Sequence, residues 1–498
     1  MNLFLEQTWL AIGGFNLPIL FVATVAGIAI GATPGLTVNM AVALAVPLTM
    51  SMSLTSALTV ILALYVSGIF GGSVSAILIN TPGTPAAAAT VLDGYPLARR
   101  GQAKKALSMA LLASVCGGLF SVFVLTFVAR QLANVALMFG PFERASLLVF
   151  ALTLIGSLSG ASLGRGLIGA GIGLFIGSVG SDPMTGAPRF TFGLIELEDG
   201  FSFIALLIGL FAISEILTLS RTPVIPQERE SAGDEDSPQD KLTWPDIRGS
   251  RRAITQSSLI GTFIGILPGI GATVASFLGY AAARRTSSDP DSFGSGALEG
   301  VAAAEAANNA VSGAALIPLL ALSIPGDAVT AVLSGALLMH GVQTGPFIFT
   351  QHLDSVYLLY NILILANLAM AVSGFLMMGM FQRFSAIPAN LLLPMVLVLC
   401  VVGTFTYRGS IFDLYTMLAF GLMGIVMRKS SIPVAVVVIS FILARPLEEA
   451  LFQSAVSAQG DWSSIIAHPI ACVFLALAVV SVVVTIVESL CGKSAHTN

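Results

Sequence analysis

Long apolar runs, separated by short breaks of Gly, Pro and small polar residues, cover almost the whole chain. They predict helical spans or half-spans near residues 13–32, 37–50, 54–80, 104–129, 145–160, 163–180, 201–219, 253–268, 271–283, 300–324, 328–340, 355–380, 388–404, 411–427, 431–444 and 465–488. Several runs are shorter than the roughly 17 residues that a bilayer crossing needs. The pattern therefore predicts an all-α protein with about 12 transmembrane helices, the remaining runs forming hairpin arms or re-entrant pieces.

The composition indicates a polytopic membrane protein. Of the 498 residues, 56% are hydrophobic and 10% are charged, whereas soluble domains carry about 25% charged residues. The net charge of −4 provides no basic surface for nucleic acid. The four Cys and four His show no metal-ligand spacing, and the sequence contains no P-loop, nucleophile elbow or H-E-x-x-H motif. We therefore expect neither an enzyme nor a resident cofactor or metal.

One charged segment that contains several prolines interrupts the apolar pattern at 221–252. Its charge density and few aliphatic residues predict a solvated linker rather than a span. It divides the chain into a first membrane half at 1–220, the linker itself, a second membrane half at 253–490 and a short tail at 491–498. Six Lys or Arg residues lie in the linker, and four more form a basic loop at 99–105. The positive-inside rule predicts that both segments face the cytoplasm.

The breaks in the apolar pattern occur in two matching pairs. GIAIGATPGLT at 27–37 and GTFIGILPGIG at 261–271 share the pattern G-x-x-x-G-x-x-P-G and are 234 positions apart. ILINTPG, ending at Gly83, and LLALSIPG, ending at Gly326, are 243 positions apart. Their common order in the two halves indicates an internal duplication. The four breaks are named here break 1 (33–35), break 2 (81–83), break 1′ (267–269) and break 2′ (324–326).

The distribution of Lys and Arg differs between the two halves. The loop after break 1 (50–54) contains no cation, whereas Arg284 and Arg285 follow break 1′. The loop after break 2 is basic, whereas no Lys or Arg occurs from 286 to 382 in the second half. Equivalent loops with opposite cation bias predict two inverted repeats, a plan found in secondary transporters. Positions 52 and 286 are then expected on opposite faces of the membrane.

A helix that ends inside a membrane leaves backbone N–H and C=O groups that need partners. Helix N-termini suit carboxylates, and the carbonyl groups of helix C-termini suit Na⁺. Because small hydrogen-bonding residues surround the breaks, we predict a site for a multi-carboxylate anion. The residues predicted to bind this substrate are Asn39, Asn80, Thr81, Gly83, Thr273, Ser323 and Gly326. The alternative interpretation is that each Pro-Gly pair only kinks a structural helix.

A second cluster of polar residues lies in the apolar stretch 297–320. Glu305 and Asn309 are four residues apart and so share a helix face. Ionisable residues inside membrane segments often mark ion pathways. Glu305 and Asp327, which follows break 2′, are therefore predicted to bind the coupling cation, Na⁺ or H⁺. The alternative is that Glu305 lies in the first turns of its helix and that the Asn residues join helices by hydrogen bonds.

Two further motifs favour structural roles. Asp93 and Gly94 predict a turn just before the basic loop. Gly169, Gly173 and Gly177 are spaced by four residues, which places all three on one side of a helix. Glycines at this spacing let a neighbouring helix approach closely. We therefore predict a packing face there rather than a binding site.

The motifs resemble those of the large membrane subunit of the tripartite tricarboxylate transporters, the TctA family. The matching pieces are the two G-x-x-P-G-[IL] breaks, ILINTPGTPAAAATVLDGYPLARRGQAKKAL, GSDPMTGAPRFTFG, GTFIGILPGIGATVASFLGYAAARR and FGSGALEGVAAAEAANNAVSGAALIPLLALSIPGDAVTAVLSGAL. The resemblance runs from about Gly27 to Gly345 and so includes both halves. The rest of the second half matches the family only in its hydropathy.

The resemblance implies a secondary carrier of the bacterial inner membrane that takes up tricarboxylates or related organic anions, driven by a cation gradient. It also implies two partners, a small membrane subunit and a periplasmic substrate-binding protein. The two repeat cores would hold the substrate and move in an elevator-like manner. The alternative is a stand-alone cation/organic-anion symporter without a binding protein. An integral-membrane enzyme would need converging nucleophiles or metal ligands, and a channel would show unitary currents.

Overall fold

The computed structural model describes residues 2–33, 35–158, 163–219, 240–381 and 389–494. These residues form α-helices joined by short loops, together with one two-stranded antiparallel sheet that pairs β1 (Gly180–Ser181) with β2 (Pro188–Arg189). The all-α class predicted from the apolar runs is therefore confirmed.

Most helices coincide with the predicted apolar runs, but no run predicted α1 or α5. In the first half they are α1 (Asn2–Ile12), α2 (Asn16–Ala32), α3 (Val38–Thr49), α4 (Leu54–Ile79), α5 (Ala88–Arg99), α6 (Ala103–Ala136), α7 (Pro141–Leu158), α8 (Leu163–Gly177), α9 (Phe203–Leu207) and α10 (Ser214–Leu219), with a π-helical segment at Ile208–Ile213 between the last two. After the linker they are α11 (Trp244–Ile266), α12 (Gly271–Thr286), α13 (Leu298–Ala314), α14 (Leu316–Leu322), α15 (Ala328–Met339), α16 (Ile348–Gln351), α17 (Leu353–Leu376), α18 (Ala389–Arg408), α19 (Ile411–Lys429), α20 (Val434–Ala458) and α21 (Pro469–Ser494). Short 3₁₀ turns lie at Pro85–Ala87, Ile195–Leu197, Pro290–Ser292, Met378–Met380 and Trp462–Ala467.

Length and hydropathy identify the helices that can cross a membrane. Among the described residues, α4, α6, α17 and α19 each qualify alone, and α1 with α2, bent by 68°, can form a fifth span. Shorter apolar helices such as α3, α8 and α15 do not reach the length of a full crossing. These criteria support a polytopic membrane protein. They do not establish the predicted number of about 12 spans.

The most deeply buried elements are α4 and α13. The apolar window of α4 is 94% buried inside the protein, against 44% for α6, so α4 lies in the interior and α6 partly faces the surroundings. Every residue of α13 from Gly300 to Ala314 is buried. Its many alanines allow neighbouring backbones to approach closely. The polar residues of this helix are therefore enclosed by protein rather than exposed to lipid.

The two halves repeat the same helix packing. An added Cβ at Gly27 in α2 would lie 3.1 Å from the carbonyl oxygen of Leu64 in α4. In the second half, an added Cβ at Gly261 in α11 would lie 2.2 Å from the carbonyl oxygen of Ala307 in α13. Ala307 follows Leu64 by 243 positions, the same offset that separates breaks 2 and 2′. The helix pairs α2–α4 and α11–α13 are therefore structural equivalents.

Equivalent helices run in opposite directions. The Tyr65 hydroxyl in α4 bonds to Asp327, beyond the C-terminal end of α14, whereas Ser73, further along α4, bonds to Glu305 in α13. The earlier residue of α4 therefore contacts the later residue of the second half, and the later residue contacts the earlier one. This reversal shows that α4 is antiparallel to α13. The same reversal relates α6 and α17. Ser108 of α6 contacts Met378, just beyond the end of α17, whereas Gly118, further along α6, approaches Asn367 within α17.

The predicted glycine face of α8 is confirmed. An added Cβ at Gly173 would lie 2.3 Å from the carbonyl oxygen of Val437, and one at Gly177 would lie 2.5 Å from Ala444 Cβ. Both partners belong to α20. Gly169 approaches the same region less closely, since its added Cβ would lie 3.3 Å from Ile432. These glycines hold α8 against α20, as close packing through small residues requires.

The C-terminal part of the predicted linker contains the start of a helix. Residues 221–239 lie outside the described residues, and α11 begins at Trp244, inside the predicted linker. The basic loop contacts this region, because Lys105 Nζ lies 2.9 Å from Asp246 Oδ1 and the Lys105 backbone N–H donates to Asp240 at 3.0 Å. The two basic segments therefore lie at the same end of the helix bundle.

Candidate functional site

Breaks 1 and 1′ have the same backbone conformation. Thr33, which ends α2, has φ −90° and ψ 114°, and Leu267, which ends α11, has φ −85° and ψ 114°. Two residues later, Gly35 and Gly269 have φ of +89° and +85°. This left-handed conformation is accessible to glycine without the penalty that a side chain brings. Both helices therefore stop in the same way, and α3 and α12 begin just beyond.

Breaks 2 and 2′ also match residue by residue. Asn80 ends α4 with φ 56° and ψ 23°, and Ser323 ends α14 with φ 59° and ψ 23°. The following helical segments start with side-chain caps: Thr84 accepts from the N–H of Ala87 at 3.3 Å, and Asp327 accepts from the N–H of Thr330 at 2.7 Å. Such caps satisfy one of the free N–H groups at a helix start.

Within each half, the two breaks lie against each other. The N–H of Gly269 in break 1′ donates to the carbonyl oxygen of Gly326 in break 2′ at 3.0 Å. In the first half, an added Cβ at Gly83 would lie 2.1 Å from the carbonyl oxygen of Gly31, two residues before break 1. The predicted site residues Gly83 and Gly326 therefore hold close backbone contacts, which leave no room for a side chain.

The breaks of one half also meet the other half. The Tyr65 hydroxyl of α4 donates to Asp327 Oδ2 at 2.6 Å. The helix after break 1′, α12, packs against the 3₁₀ turn Pro85–Ala87 that follows break 2. In the reciprocal arrangement, α3, which follows break 1, packs against α15, which follows break 2′. The segments that follow the breaks thus pack in crossed pairs, each with one member from each half.

The predicted substrate residues differ in how their side chains are used. Asn80 is exposed, Asn39 and Thr273 are half-buried, and none of the three side chains is hydrogen-bonded to another described residue. The Ser323 hydroxyl donates to the carbonyl oxygen of Thr344 at 2.7 Å, and the Thr81 hydroxyl donates to that of Ile79 at 3.2 Å. Asn39, Asn80 and Thr273 therefore keep their polar groups available for a ligand.

Glu305 lies in a closed pocket of hydroxyl donors. Its side chain is fully buried. Ser73 of α4 donates to Oε1 at 2.5 Å, Thr90 of α5 donates to the same oxygen, and Ser114 of α6 donates to Oε2 at 2.9 Å. Each donor comes from a different helix of the first half, whereas Glu305 belongs to the second half. A buried carboxylate needs such donors, because leaving it unsatisfied is costly.

The amide residues next to Glu305 have mixed surroundings. Asn309 Nδ2 donates to Ser114 Oγ at 2.8 Å, so it joins α13 to α6. This contact confirms one part of the structural alternative, in which an Asn joins helices. Glu305, however, is the eighth residue of α13 and not part of its first turn. Neither polar side-chain atom of the buried Asn308 is hydrogen-bonded to a described residue. No group of metal-ligating side chains occurs among the described residues.

Comparison with known protein families gives one match. Residues 17–439 match the model of the Tripartite tricarboxylate transporter TctA family. The chain belongs to this family. The resemblance drawn from the Pro-Gly motifs is therefore confirmed, and it extends to both halves. TctA proteins are transporter components rather than enzymes, so this chain is a component of a tricarboxylate transporter in a membrane.

Two curated relatives come from Agrobacterium vitis. The "Uncharacterized 52.8 kDa protein in TAR-I ttuC' 3'region" is 32% identical over 478 residues, which cover 96% of this chain and 94% of that protein. The "Uncharacterized protein in TAR-II ttuC' 3'region" is 31% identical over 233 residues, which cover 47% of this chain and 96% of that protein. No solved structure matches the chain significantly.

Several contacts in this TctA chain involve residues that the sequence motifs did not single out. Tyr65, Ser73, Thr90 and Ser114 all bond to one of the two carboxylates predicted to bind the cation. The only signal for them in the sequence is that a carboxylate in an apolar helix requires hydroxyl donors from its neighbours. Helix packing determines which of the many Ser and Thr residues donate to the carboxylate. The spacing of residues along one helix does not reveal this.

Proposed function

We propose that the chain is the permease subunit of a binding-protein-dependent secondary transporter. It takes up tricarboxylates or related organic anions and is driven by a cation gradient across the bacterial inner membrane, with the linker in the cytoplasm. The observation that carries the proposal is the pairing of the breaks. Four helix interruptions in this TctA protein have pairwise equal backbone conformations. Interrupted helices offer the helix ends at which transporters bind anions and cations, and this supports the proposal.

The substrate site is proposed at the helix starts that follow the breaks. The first N–H groups of a helix lack intrahelical partners and carry partial positive charge. The elements that begin at these starts pack in two crossed pairs, α3 with α15 and the turn Pro85–Ala87 with α12. Asn39, Asn80 and Thr273 would add hydrogen bonds to the carboxylates, since their side chains are not used within the described structure. Thr81, Gly83, Ser323 and Gly326 would shape the break around the ligand.

The coupling cation is proposed at Glu305 and Asp327. Both carboxylates join the halves, since Glu305 accepts from helices of the first half and Asp327 accepts from Tyr65. A cation that binds at either position replaces hydrogen-bond donors and so changes the contacts between halves. Coupling of binding to domain movement requires this kind of difference in contacts between two states.

The two halves are proposed to be inverted repeats that move as an elevator. The antiparallel packing of α4 with α13 and of α6 with α17 supports inversion, because each pair consists of equivalent helices. The reversed cation bias of the loops gives the same orientation independently. Inverted repeats allow the same site to open to either face of the membrane.

Two partners are proposed, a small membrane subunit and a periplasmic substrate-binding protein. The test is uptake of ¹⁴C-citrate and related acids by cells that contain the three proteins together or this chain alone, with and without Na⁺ and with and without a proton gradient. We expect uptake only with all three proteins and with one of the two gradients. Uptake by this chain alone would contradict the role of the binding protein and favour a stand-alone symporter.

A further inference from the structure

A groove of about 950 Å³ lies between the start of α6, the segment before α11 and the end of α17. Leu111, Val372 and Phe375 contribute to its apolar walls, and Lys104 and Lys241 lie along its edge. Phe375 is 72% exposed, so the groove is open towards the surroundings of the helix bundle. Apolar walls with ammonium groups at one end form a surface with the polarity of a lipid molecule.

Two of the lysines at the groove form no ion pair within the described part of the chain. Lys105 is paired with Asp246 at 2.9 Å. Asp240, which also lines the groove, is buried and accepts from the Lys105 N–H. In contrast, Lys104 and Lys241 are exposed, and neither forms an ion pair with a described residue. An anion placed between these two lysines would find two positive partners.

The depth of the groove matches one leaflet of a bilayer. The residues of α6 that line it run from Lys104 to Val115. Eleven residues of α-helix extend about 16 Å, and half of a hydrocarbon core is about 15 Å. Trp244, three residues after Lys241 and at the start of α11, is 74% exposed. Exposed Trp is typical of the boundary between headgroups and acyl chains.

We propose that this groove binds an anionic phospholipid. The phosphate lies between Lys104 and Lys241, and an acyl chain runs along α6 and α17 past Leu111, Val372 and Phe375. Basic pockets between transmembrane helices bind anionic headgroups in this way. A phosphatidylcholine headgroup carries its own ammonium group and gains less from the two lysines. The lipid would join α6 and α17, which are equivalent helices of the two halves.

The experiment is native mass spectrometry of the delipidated full-length chain, titrated with dioleoylphosphatidylglycerol or dioleoylphosphatidylcholine. We expect phosphatidylglycerol to bind about tenfold more tightly, since each lysine near an anionic headgroup contributes to binding. The double variant Lys104→Gln/Lys241→Gln should bind the two lipids within about twofold of each other. Val372→Trp, which fills the groove and keeps both charges, should weaken the binding of both lipids.

The matched control is Lys429→Gln, because Lys429 is an exposed lysine at the end of α19, away from the groove. It should leave the preference for phosphatidylglycerol unchanged. Equal affinity for the two lipids in the wild type, or an unchanged preference in the double variant, would overturn the proposal. So would a co-purifying membrane polypeptide that blocks lipid binding, since the groove would then be a protein interface. Uptake activity does not enter the measurement, so the result is independent of the proposed transport function.

Discussion

Asn80 and Ser323 hold equivalent positions, and each has a left-handed backbone. For residues other than glycine this conformation is uncommon, although Asn adopts it more readily than most. The two residues could be retained for the backbone turn or for the side chain. Glycine substitutions separate the two roles, because glycine keeps the turn and removes the side chain.

Asn80→Gly and Ser323→Gly are expected to raise the apparent KM for the organic anion about tenfold while membrane abundance stays unchanged. The reason is that the side chains are proposed to contact the substrate, whereas the turn itself persists. The measurement is concentration-dependent uptake with quantified protein in the membrane. Ser431→Gly is the matched control, since Ser431 has φ 53° but lies in an exposed loop. If both break variants have the wild-type KM, these side chains do not contact the substrate.

Glu305→Gln is expected to reduce cation-dependent uptake by about tenfold or more. Glutamine keeps the shape and the carbonyl acceptor but removes the charge that a cation requires. The control is Glu299→Gln, six residues earlier in the same helix, where the side chain is only half-buried. Uptake should be measured across a range of Na⁺ concentrations and pH values. A Glu305→Gln variant with the normal cation dependence would place coupling elsewhere, and Asp327 would then be the remaining carboxylate.

The sequence predicts which residues are unusual better than it predicts their partners. Glu305 was recognised because a carboxylate is rare in an apolar helix, and it is enclosed by three hydroxyl groups. Tyr65 was missed because a tyrosine in an apolar run carries no special signal until its hydroxyl is seen beside Asp327. Local chemistry is visible along the chain, whereas a contact between residues 262 positions apart requires the packing.

At the scale of single elements, the glycines of α2 and α11 determine how closely helices approach. An added Cβ at Gly27 would lie 2.1 Å from Ser67 Oγ, and one at Gly261 would lie 2.2 Å from the carbonyl oxygen of Ala307. At Gly261 a methyl group would require the neighbouring backbone to move. At Gly27 the Ser67 side chain would have to turn away, and the carbonyl oxygen of Leu64 would still lie only 3.1 Å from the added carbon. Leu64 and Ala307 hold equivalent positions, so both halves are predicted to be sensitive to the same change.

Gly27→Ala and Gly261→Ala are therefore each expected to destabilise the protein by about 1–3 kcal/mol, the usual cost of overpacking. The measurement is thermal unfolding of the purified chain in detergent, in which the fraction of protein that stays soluble is determined at each temperature. Gly171→Ala is the control, because an added Cβ at Gly171 meets no atom within 4 Å. If Gly171→Ala destabilises the protein as much as the other two substitutions do, the loss of stability comes from the changed flexibility of the helix. It would then not come from the close approach of neighbouring helices.

The element α5 shows where local sequence signals mislead. Asp93 and Gly94 were predicted to form a turn, but both lie inside α5, so that prediction is wrong. Asp93 instead caps a distant helix: its Oδ1 accepts from the N–H groups of Gly294, Gly296 and Ala297, just before α13. An acidic group at a helix start is favourable, and this tertiary gain outweighs the turn preference of the Asp-Gly pair.

At the scale of the whole molecule, contacts define the two ends of the helix bundle. Arg252 donates to the carbonyl oxygen of Thr286, which places the end of α12 with the start of α11 and the basic loop. Met52 precedes α4, and α4 is antiparallel to α13, whose start is capped by Asp93 close to the basic loop. Met52 therefore lies at the opposite end of the bundle.

This arrangement predicts the outcome of cysteine labelling in a chain whose four native cysteines are replaced. Met52→Cys should react with an impermeant maleimide from one face of the membrane and Ser288→Cys from the other. Ser288 is exposed and close to position 286, where the side chain is half-buried. Trp244→Cys is the control and should share the face of Ser288→Cys. Labelling of positions 52 and 288 from the same face would contradict the inverted arrangement.

The sequence predicts more of the helical architecture than of the contacts in the candidate site. The apolar runs located most helices within a few residues, since burial in lipid or protein leaves a continuous signal. The start of α11 was missed because Trp244 and the charged residues after it resemble a linker by composition, although Thr243 and Asp246 form a capping box there. The number of complete crossings did not follow from the sequence, because helices such as α3 and α15 begin at breaks and are too short for a full crossing.

The duplicated backbone does not carry duplicated chemistry. The position equivalent to Glu305 in the first half is Leu62, and the position equivalent to Asp327 is Thr84. Two identical chains in a symmetric dimer must keep every residue twice, whereas two halves fused in one polypeptide can diverge independently. Among the described residues, the buried carboxylate of Glu305 therefore has no counterpart at its equivalent position in the other half. If coupling depends on Glu305, its ion stoichiometry is fixed at one such site per polypeptide, regardless of the twofold plan of the fold.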